Sequence, residues 1–314
     1  MNVPFFPPEA SSLAPETDHL YFFLLGLSLF VMVFVFVPLT FFLFKYRRGR
    51  RANRAALNLP TNRIEITWTV IPTLISLGIF GAGASVYFKE EVPPQHYLDV
   101  NVIGKQWMWK IQHPEGNSEI NELHVPVNQA IKLTLGSEDV IHSFFIPAFR
   151  LKQDVVPGRF ATEWFQPTRT GTYRFYCSEY CGMDHAKMEG FVYVMPPDEY
   201  KQWLEKSPPR NTLAQSGEKL YRILGCSGCH DGQTLVHAPP MEGLYGALVP
   251  LGDGTTVRAD ETYLRASILQ PASHTVAGYQ PVMPAYQGRV SEEQLMELIA
   301  YIKSVAHSEP LKKP

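Results

Sequence analysis

Hydrophobicity is distributed along this chain in blocks. Residues 20–44 (LYFFLLGLSLFVMVFVFVPLTFFLF) carry no charge, and residues 64–88 (IEITWTVIPTLISLGIFGAGASVYF) carry only Glu65, near their start. Each run is long enough to cross a hydrocarbon core of about 30 Å as a helix. Between them stand Lys45, Arg47, Arg48, Arg50, Arg51 and Arg54. A basic loop directly after a span stays on the cytoplasmic side. The pattern predicts a helical hairpin with its N-terminus outside, the loop inside, and the rest of the chain outside. A cleaved signal peptide is the competing reading for the first run. It is disfavoured because the preceding segment is acidic (Glu9, Glu16, Asp18), and because the run exceeds a signal core.

After the hairpin the period changes. LDVNVI, QAIKLTLGS, RFATEWFQ, GTYRFYC and GFVYVM are short runs of β-branched and aromatic residues, separated by turn formers. Ile131, Leu133 and Leu135 alternate with Lys132 and Thr134, which predicts a half-buried strand. The series suggests a sandwich or barrel. MPPDEYKQWLEKSPPRN, with paired prolines at both ends, reads as a boundary. Helical signals follow. In SEEQLMELIAYIKSV, Ser291 and Gln294 have capping-box spacing, and Leu295, Leu298, Ile299, Ile302 and Val305 share one face. AQSGEKLYRILG reads as a second amphipathic helix. The expected division is 1–92 for the N-terminal segment and hairpin, 93–196 for the all-β domain, 197–212 for a linker and 213–314 for an all-α domain.

Composition then narrows function. A formal net charge of −2 over 314 residues gives no electrostatic case for nucleic acid. All four cysteines, Cys177, Cys181, Cys226 and Cys229, fall in the exported part. Two disulfides would suit that compartment, but the neighbours of each pair argue otherwise. CSGCH at 226–230 is a Cys-x-x-Cys-His motif. Its thiols can form thioethers to haem vinyl groups, and His230 can bind the iron. A zinc ribbon needs a second such pair, and a redox dithiol of the thioredoxin kind needs a βαβ setting. Downstream candidates for the sixth iron ligand are Met241, Met283, Met296, His237, His274 and His307. Met283 lies in a loop stiffened by Pro281 and Pro284, whereas Met296 lies inside the terminal helix pattern.

CSEYCGMDHAKM at 177–188 places Cys177, Cys181, His185 and Met188 within twelve residues. Thiolate, imidazole and thioether together are copper electron-transfer ligands. Zinc competes for cysteine and histidine but rarely takes methionine, and a Cys177–Cys181 disulfide is the bland alternative. DVIHSFFIPAFRLKQDVVPGR offers His142 as a second histidine, while His96, His113 and His124 read as ordinary surface or sandwich residues.

These motifs, over residues 15–200, resemble subunit II of cytochrome c oxidase with its binuclear copper centre, Cu-A. The segment from about 212 to 307, with CSGCH and the Met-Pro pair at Met283, resembles class I cytochromes c along its full length, HAPPMEGLYG standing for that family's Gly-Pro-x-Leu-x-Gly-Leu-Tyr-Gly stretch with alanine before the proline. The resemblance implies a multidomain fold: a two-helix transmembrane hairpin, an all-β cupredoxin-like Greek-key sandwich and an all-α class I cytochrome c domain. It implies Cys177 and Cys181 as copper bridges and His142 and His185 as terminal ligands. Met188 would complete one copper and the Glu179 carbonyl the other, the Glu179 carboxylate facing a magnesium shared with subunit I. It implies Cys226, Cys229, His230 and Met283 for haem c. It makes Trp107, in GKQWMWKI, the point of electron arrival, and Glu65, in IEITWTVIP, the acid at a proton-path entrance. Gly217 and Tyr301 would mark a helix crossing.

The whole resembles subunit II of a caa-type haem–copper oxidase of a bacterial cell membrane, with subunits I and III as partners. The donor would be a cytochrome c, an iron–sulfur protein or a quinol-oxidising complex. Nitrous oxide reductase would need a large further domain, and quinol oxidase subunits lack the copper ligands. A free-standing membrane-tethered electron carrier or redox sensor is the rival from another class.

Overall fold

A computed structural model describes residues 6–49, 61–206, 212–231 and 238–306. The chain divides into two compact units, Leu13–Val92 and Met1–Ser12 with Pro93–Pro314. The first unit is a pair of helices, α1 (Ala14–Tyr46) and α2 (Thr61–Glu91), with mean hydropathy 2.7 and 1.7 over their most apolar stretches. Both extend beyond the apolar runs by a turn or more. At one end of the pair, Lys89 of α2 meets Glu16 of α1 at 2.6 Å. Thr67, Thr69 and Thr73 donate their hydroxyls to the carbonyls of Arg63, Glu65 and Thr69. A hydroxyl in lipid must find a partner, and the turn below supplies one. Of the basic loop, Arg50, Arg51 and Arg54 lie outside the described residues.

In the second unit ten strands build a sandwich: β1 (Leu98–Lys105), β2 (Met108–Gln112), β3 (Ser118–Ile120), β4 (Glu122–Pro126), β5 (Ile131–Ser137), β6 (His142–Ile146), β7 (Leu151–Val155), β8 (Ala161–Phe165), β9 (Gly171–Cys177) and β10 (Glu189–Met195). One sheet runs β3-β2-β1-β5-β8 and the other β4-β10-β9-β6-β7. The β1/β5 and β4/β10 pairs are parallel, so the chain crosses between sheets in the Greek-key manner. Trp109, Ile111, Leu133, Phe144, Phe165 and Phe175 are fully enclosed between the sheets, each stabilising the fold by about 2–3 kcal/mol. Residues just before the hairpin belong to this body: Ala10 N donates to Ala148 O at 3.0 Å, and Ser12 N to Gln166 O at 2.9 Å.

The chain continues through α3 (Pro197–Lys206), α4 (Leu213–Ile223), α5 (Ser227–His230), the ribbon β11 (Leu248–Pro250) and β12 (Thr256–Arg258), α6 (Glu261–Leu269) and α7 (Glu292–Ala306). Residues 207–211 of the expected linker lie outside the described set. The capping box that opens α7 is present, with Gln294 N donating to Ser291 Oγ and Ser291 N to Gln294 Oε1. Thr212 and Gln215 form another at α4. Helices α4 and α7 cross backbone to backbone at the Gly217–Tyr301 contact. A Cβ on Gly217 would stand 1.9 Å from the Glu297 carbonyl oxygen.

The alternation in β5 is misleading. Lys132 and Thr134 are buried, as is every residue of that strand. Their side is covered by α6 and α7, a neighbour the strand's own period cannot announce.

Candidate metal centre and haem-binding segment

The strand-to-loop turn after β9 carries Cys177, Cys181, His185 and Met188, and the start of β6 carries His142. Antiparallel pairing sets Phe144 of β6 opposite Cys177 of β9, which brings His142 onto the same end of the sheet. Cys177 Sγ and Cys181 Sγ are 3.8 Å apart and unbonded. His142 Nδ1 is 3.9 Å from Cys177 Sγ, and His185 Nδ1 is 3.5 Å from Cys181 Sγ. Met188 Sδ is 3.7 Å from Cys181 Sγ, and the Glu179 carbonyl oxygen 3.2 Å from Cys177 Sγ. All six residues named from the sequence thus converge. His142, Cys177, Cys181 and Met188 are buried, and the Glu179 side chain is exposed.

The donor set fits copper. Metal–thiolate bonds are about 2.3 Å, so sulfurs 3.8 Å apart lie within reach of one shared ion. The thioether favours copper over zinc. Electrostatics already favour one thiolate. Burial pushes Cys177 up, but hydrogen bonds from His142 and the backbone at Ser143 and Glu179 outweigh it and lower the thiol to about 6. Burial and the neighbouring Cys177 charge push Cys181 up.

Two residues that the sequence reading passed over hold this cluster. Asp139 Oδ1 accepts from His142 Nε2 at 2.8 Å, which leaves Nδ1 as the ligating nitrogen. Its other oxygen accepts from Gln106 N at 2.7 Å. Burial raises the Asp139 carboxyl, but the Gln106 amide and His142 bring it below its ordinary range. Gln106 also donates its side-chain amide to Cys181 O at 2.7 Å. A carboxylate three residues ahead of a ligand histidine was the available signal for Asp139.

Trp107 lies against this loop: a Cβ on Gly182 would stand 3.2 Å from its Nε1. Glu65 sits in the second turn of α2, in the separate helical unit, and is exposed. His113 and His124 are not at the centre. His113 Nε2 meets Glu119 Oε1 at 2.8 Å, His124 Nδ1 meets Glu119 Oε2, and His124 stacks between Tyr193 and Trp203.

In the helical domain, α5 turns CSGCH so that His230 Nδ1 shares a hydrogen bond with Pro239 O at 2.8 Å, leaving Nε2 to ligate. Cys226, Met241 and Met283 all border one apolar cluster with Leu224, Leu244 and Val276, which fits a haem edge. Tyr286 donates to Leu224 O at 2.9 Å, tying the loop after Met283 to the segment before Cys226. Met296 is a buried member of that cluster and its Cε lies against Gly136 of β5, and His237 and His307 lie outside the described residues.

Comparison with known proteins places three matches along the chain: the transmembrane domain of cytochrome c oxidase subunit II over residues 1–81, its periplasmic domain over 117–194, and subunit III of the cbb3-type oxidase, a cytochrome c, over 212–302. Cytochrome c oxidase subunit 2 of Alkalihalophilus pseudofirmus is 32% identical over 88% of this chain and 83% of that protein. Its counterpart in Cereibacter sphaeroides is 29% identical over 64% and 79%. The crystal structure of the periplasmic domain of cytochrome oxidase subunit II from Bradyrhizobium japonicum is 34% identical, covering 37% of this chain and 96% of that one at a TM-score of 0.36.

Proposed function

The chain belongs to the cytochrome c oxidase subunit II family, and from that premise we infer that it is the subunit through which electrons reach a proton-pumping oxidase. Cys226, Cys229 and His230, together with Met283, would hold a haem c that takes electrons from an external donor, and the cluster at Cys177 and Cys181 would hold the copper that passes them on to an oxygen-reducing subunit I with its haem a. Residues 93–196 form the copper domain and 213–314 the haem domain, both outside a bacterial cell membrane, with the hairpin beside subunits I and III.

The observation that carries this reading is the convergence of two free thiols, two imidazoles, a thioether and a backbone carbonyl in one buried cluster. Bound copper and haem supply one-electron redox chemistry. The protein supplies the frame. Cys177 and Cys181 would supply the shared thiolates, His142 and His185 one imidazole each, and Met188 and the Glu179 carbonyl the remaining donors. Asp139 orients His142 through its Nε2 proton, so that ring needs no reorientation. The buried Met188 and Cys181 keep water away from the sulfurs. Trp107 presents its indole against the copper loop as the point of electron arrival. Glu65 would serve as the proton-path acid, and the exposed Glu179 carboxylate would be available to a magnesium shared with subunit I.

The deciding experiment is the EPR spectrum of the purified oxidase complex. Hyperfine structure from one electron shared by two equivalent coppers is expected, and is to be lost in Cys181→Ser. A spectrum from a single copper, or zinc in place of copper, would refute the reading.

A further inference from the structure

The outward side of β5 carries Lys132, Thr134 and Gly136, paired in parallel register with Asp99, Asn101 and Ile103 of β1. On a free-standing sandwich this stripe would face water. Here Lys132 is 7% exposed, Thr134 3% and Ile103 1%. The cover is the chain's own cytochrome-type domain. Lys132 Nζ donates to Glu261 Oε1 at 2.8 Å, and the same oxygen accepts from Tyr245 OH at 2.7 Å and from Lys303 Nζ at 3.1 Å. Lys303 also bonds Asp99. The chain of charges Lys132–Glu261–Lys303–Asp99 begins and ends on the sandwich and passes through two helices of the other domain.

Helix α7 is patterned for this contact. Glu293 bonds Lys110 and Gln112 of β2, Met296 lies over Gly136, and Lys303 reaches Asp99. These positions recur at helical spacing beside the stripe of Leu295, Leu298 and Ile302, and Met296 joins that stripe in one apolar cluster that Ile103 and Phe160 of the sandwich also enter. A Cβ on Gly136 would stand 3.0 Å from Met296 Cε, so only glycine admits that side chain undisturbed. At the rim Arg265 donates to Gly158 O at 2.9 Å, pairs with Glu292 and stacks over Phe160.

We propose that this ion chain is an intramolecular dock, with Glu261 its positioning residue, that holds the haem domain in one fixed placement on the copper domain. The inference rests on the electron-transfer reading above and deepens it: the haem domain delivers to copper as part of one body and not as a tethered carrier that must find its site at each turnover. Buried, mutually satisfied charges are screened little by salt. They are also demanding of geometry, which makes them suited to specifying a single placement. A tether alone would give a high effective concentration but a distribution of placements.

The test uses the full chain in its assembled complex, spin-labelled through non-natural residues at the exposed positions Arg174 and Arg222, so that the cysteines are spared. Dipolar EPR should give one narrow distance distribution, unchanged in molar salt. Glu261→Gln should broaden it and slow flash-induced haem-to-copper transfer by tenfold to about a hundredfold. It should also make that transfer sensitive to viscosity and ionic strength, with both redox potentials unmoved. Lys132→Met, which keeps length and leaves Glu261 paired to Lys303, gives a second and milder readout should the first variant fail to load haem. A broad distribution in the parent, or an unchanged narrow one in both variants, overturns the dock. A narrow distribution in a protein without the shared-copper spectrum would leave the dock standing and remove the copper reading.

Discussion

Gln106 and Cys181 are joined across the thiol-bearing end of the sandwich: the Gln106 side-chain amide donates to the Cys181 carbonyl at 2.7 Å, while its backbone N–H is held by Asp139. One residue thereby fastens both the loop that bears the thiols and the carboxylate that orients His142. Gln106→Leu keeps the bulk and removes the side-chain bond. Copper affinity of the reconstituted protein should fall by about tenfold, read by titration against a chelator of known affinity, with the overall fold intact by far-UV circular dichroism.

Asp139→Asn should cost more at His142. The ring keeps a neighbour at Nε2, but the amide offers either an N–H or a weaker acceptor, and the backbone amides of Gln106 and Val140 lose a charged partner. A loss of about 10- to 100-fold in copper affinity is expected. The hyperfine pattern should become unequal between the two metals, since only one carries His142. Asp139→Glu should not restore it, because the carboxylate must reach both Nε2 and the loop amides at once.

Gly217→Ala addresses the helical domain alone. The added methyl would meet the Glu297 carbonyl oxygen at 1.9 Å and Tyr301 Cβ at 2.8 Å. Backbone atoms cannot swing aside, so α4 and α7 must separate, at a cost of about 3 kcal/mol or more. The expected outcome is poor haem loading and a lowered thermal midpoint of the Soret band, with the copper spectrum retained.

Acid should release the dock in a defined window. Burial raises the Glu261 carboxyl, but Lys303, Lys132 and the Tyr245 hydroxyl more than offset this and bring it from 4.5 to about 2. Asp99 is the remaining charged group in the chain, facing Lys303. A carboxyl depressed on folding contributes stability above its unfolded value and loses it as pH falls through the folded one. The interface should therefore hold above pH 4.5 and weaken progressively towards pH 2, surrendering about 3 kcal/mol. Differential scanning calorimetry of the parent should show an acid slope, and Glu261→Gln should make it shallower by the Glu261 share, the remainder coming from other carboxylates held low, Asp139 and Glu119 among them.

The cluster of thiols, imidazole and thioether was legible because Cys177, Cys181, His185 and Met188 sit within twelve residues, where chemistry and spacing can be read together. His142 was legible only as a candidate, since nothing local says that β6 pairs with β9. Asp139 and Gln106 were passed over for the same reason: their partners are brought in by folding, and Gln106 reaches Cys181 across 75 positions. The amphipathic helices α4 and α7 and the Ser291 cap followed from period and capping chemistry, the Gly217–Tyr301 crossing from the resemblance to class I cytochromes c, and the Thr212 cap was not foreseen. Lys132 was misjudged because alternation reports one face of a strand, and the second face of β5 is closed by residues more than a hundred positions later. The hairpin was the plainest feature of all, for twenty-five uncharged residues in a row have few other uses in water or lipid.

The two-sided burial of β5 also sets an order of assembly. A chain made from its N-terminus delivers β5 long before α6 and α7. For that interval Lys132, Thr134 and Ile103 meet water, and the sandwich is complete in its pairing but open on one flank. Helix α7 closes that flank, and it is made only after CSGCH. The sandwich is thus able to fold first with one side wet, and the helical domain completes its burial on docking.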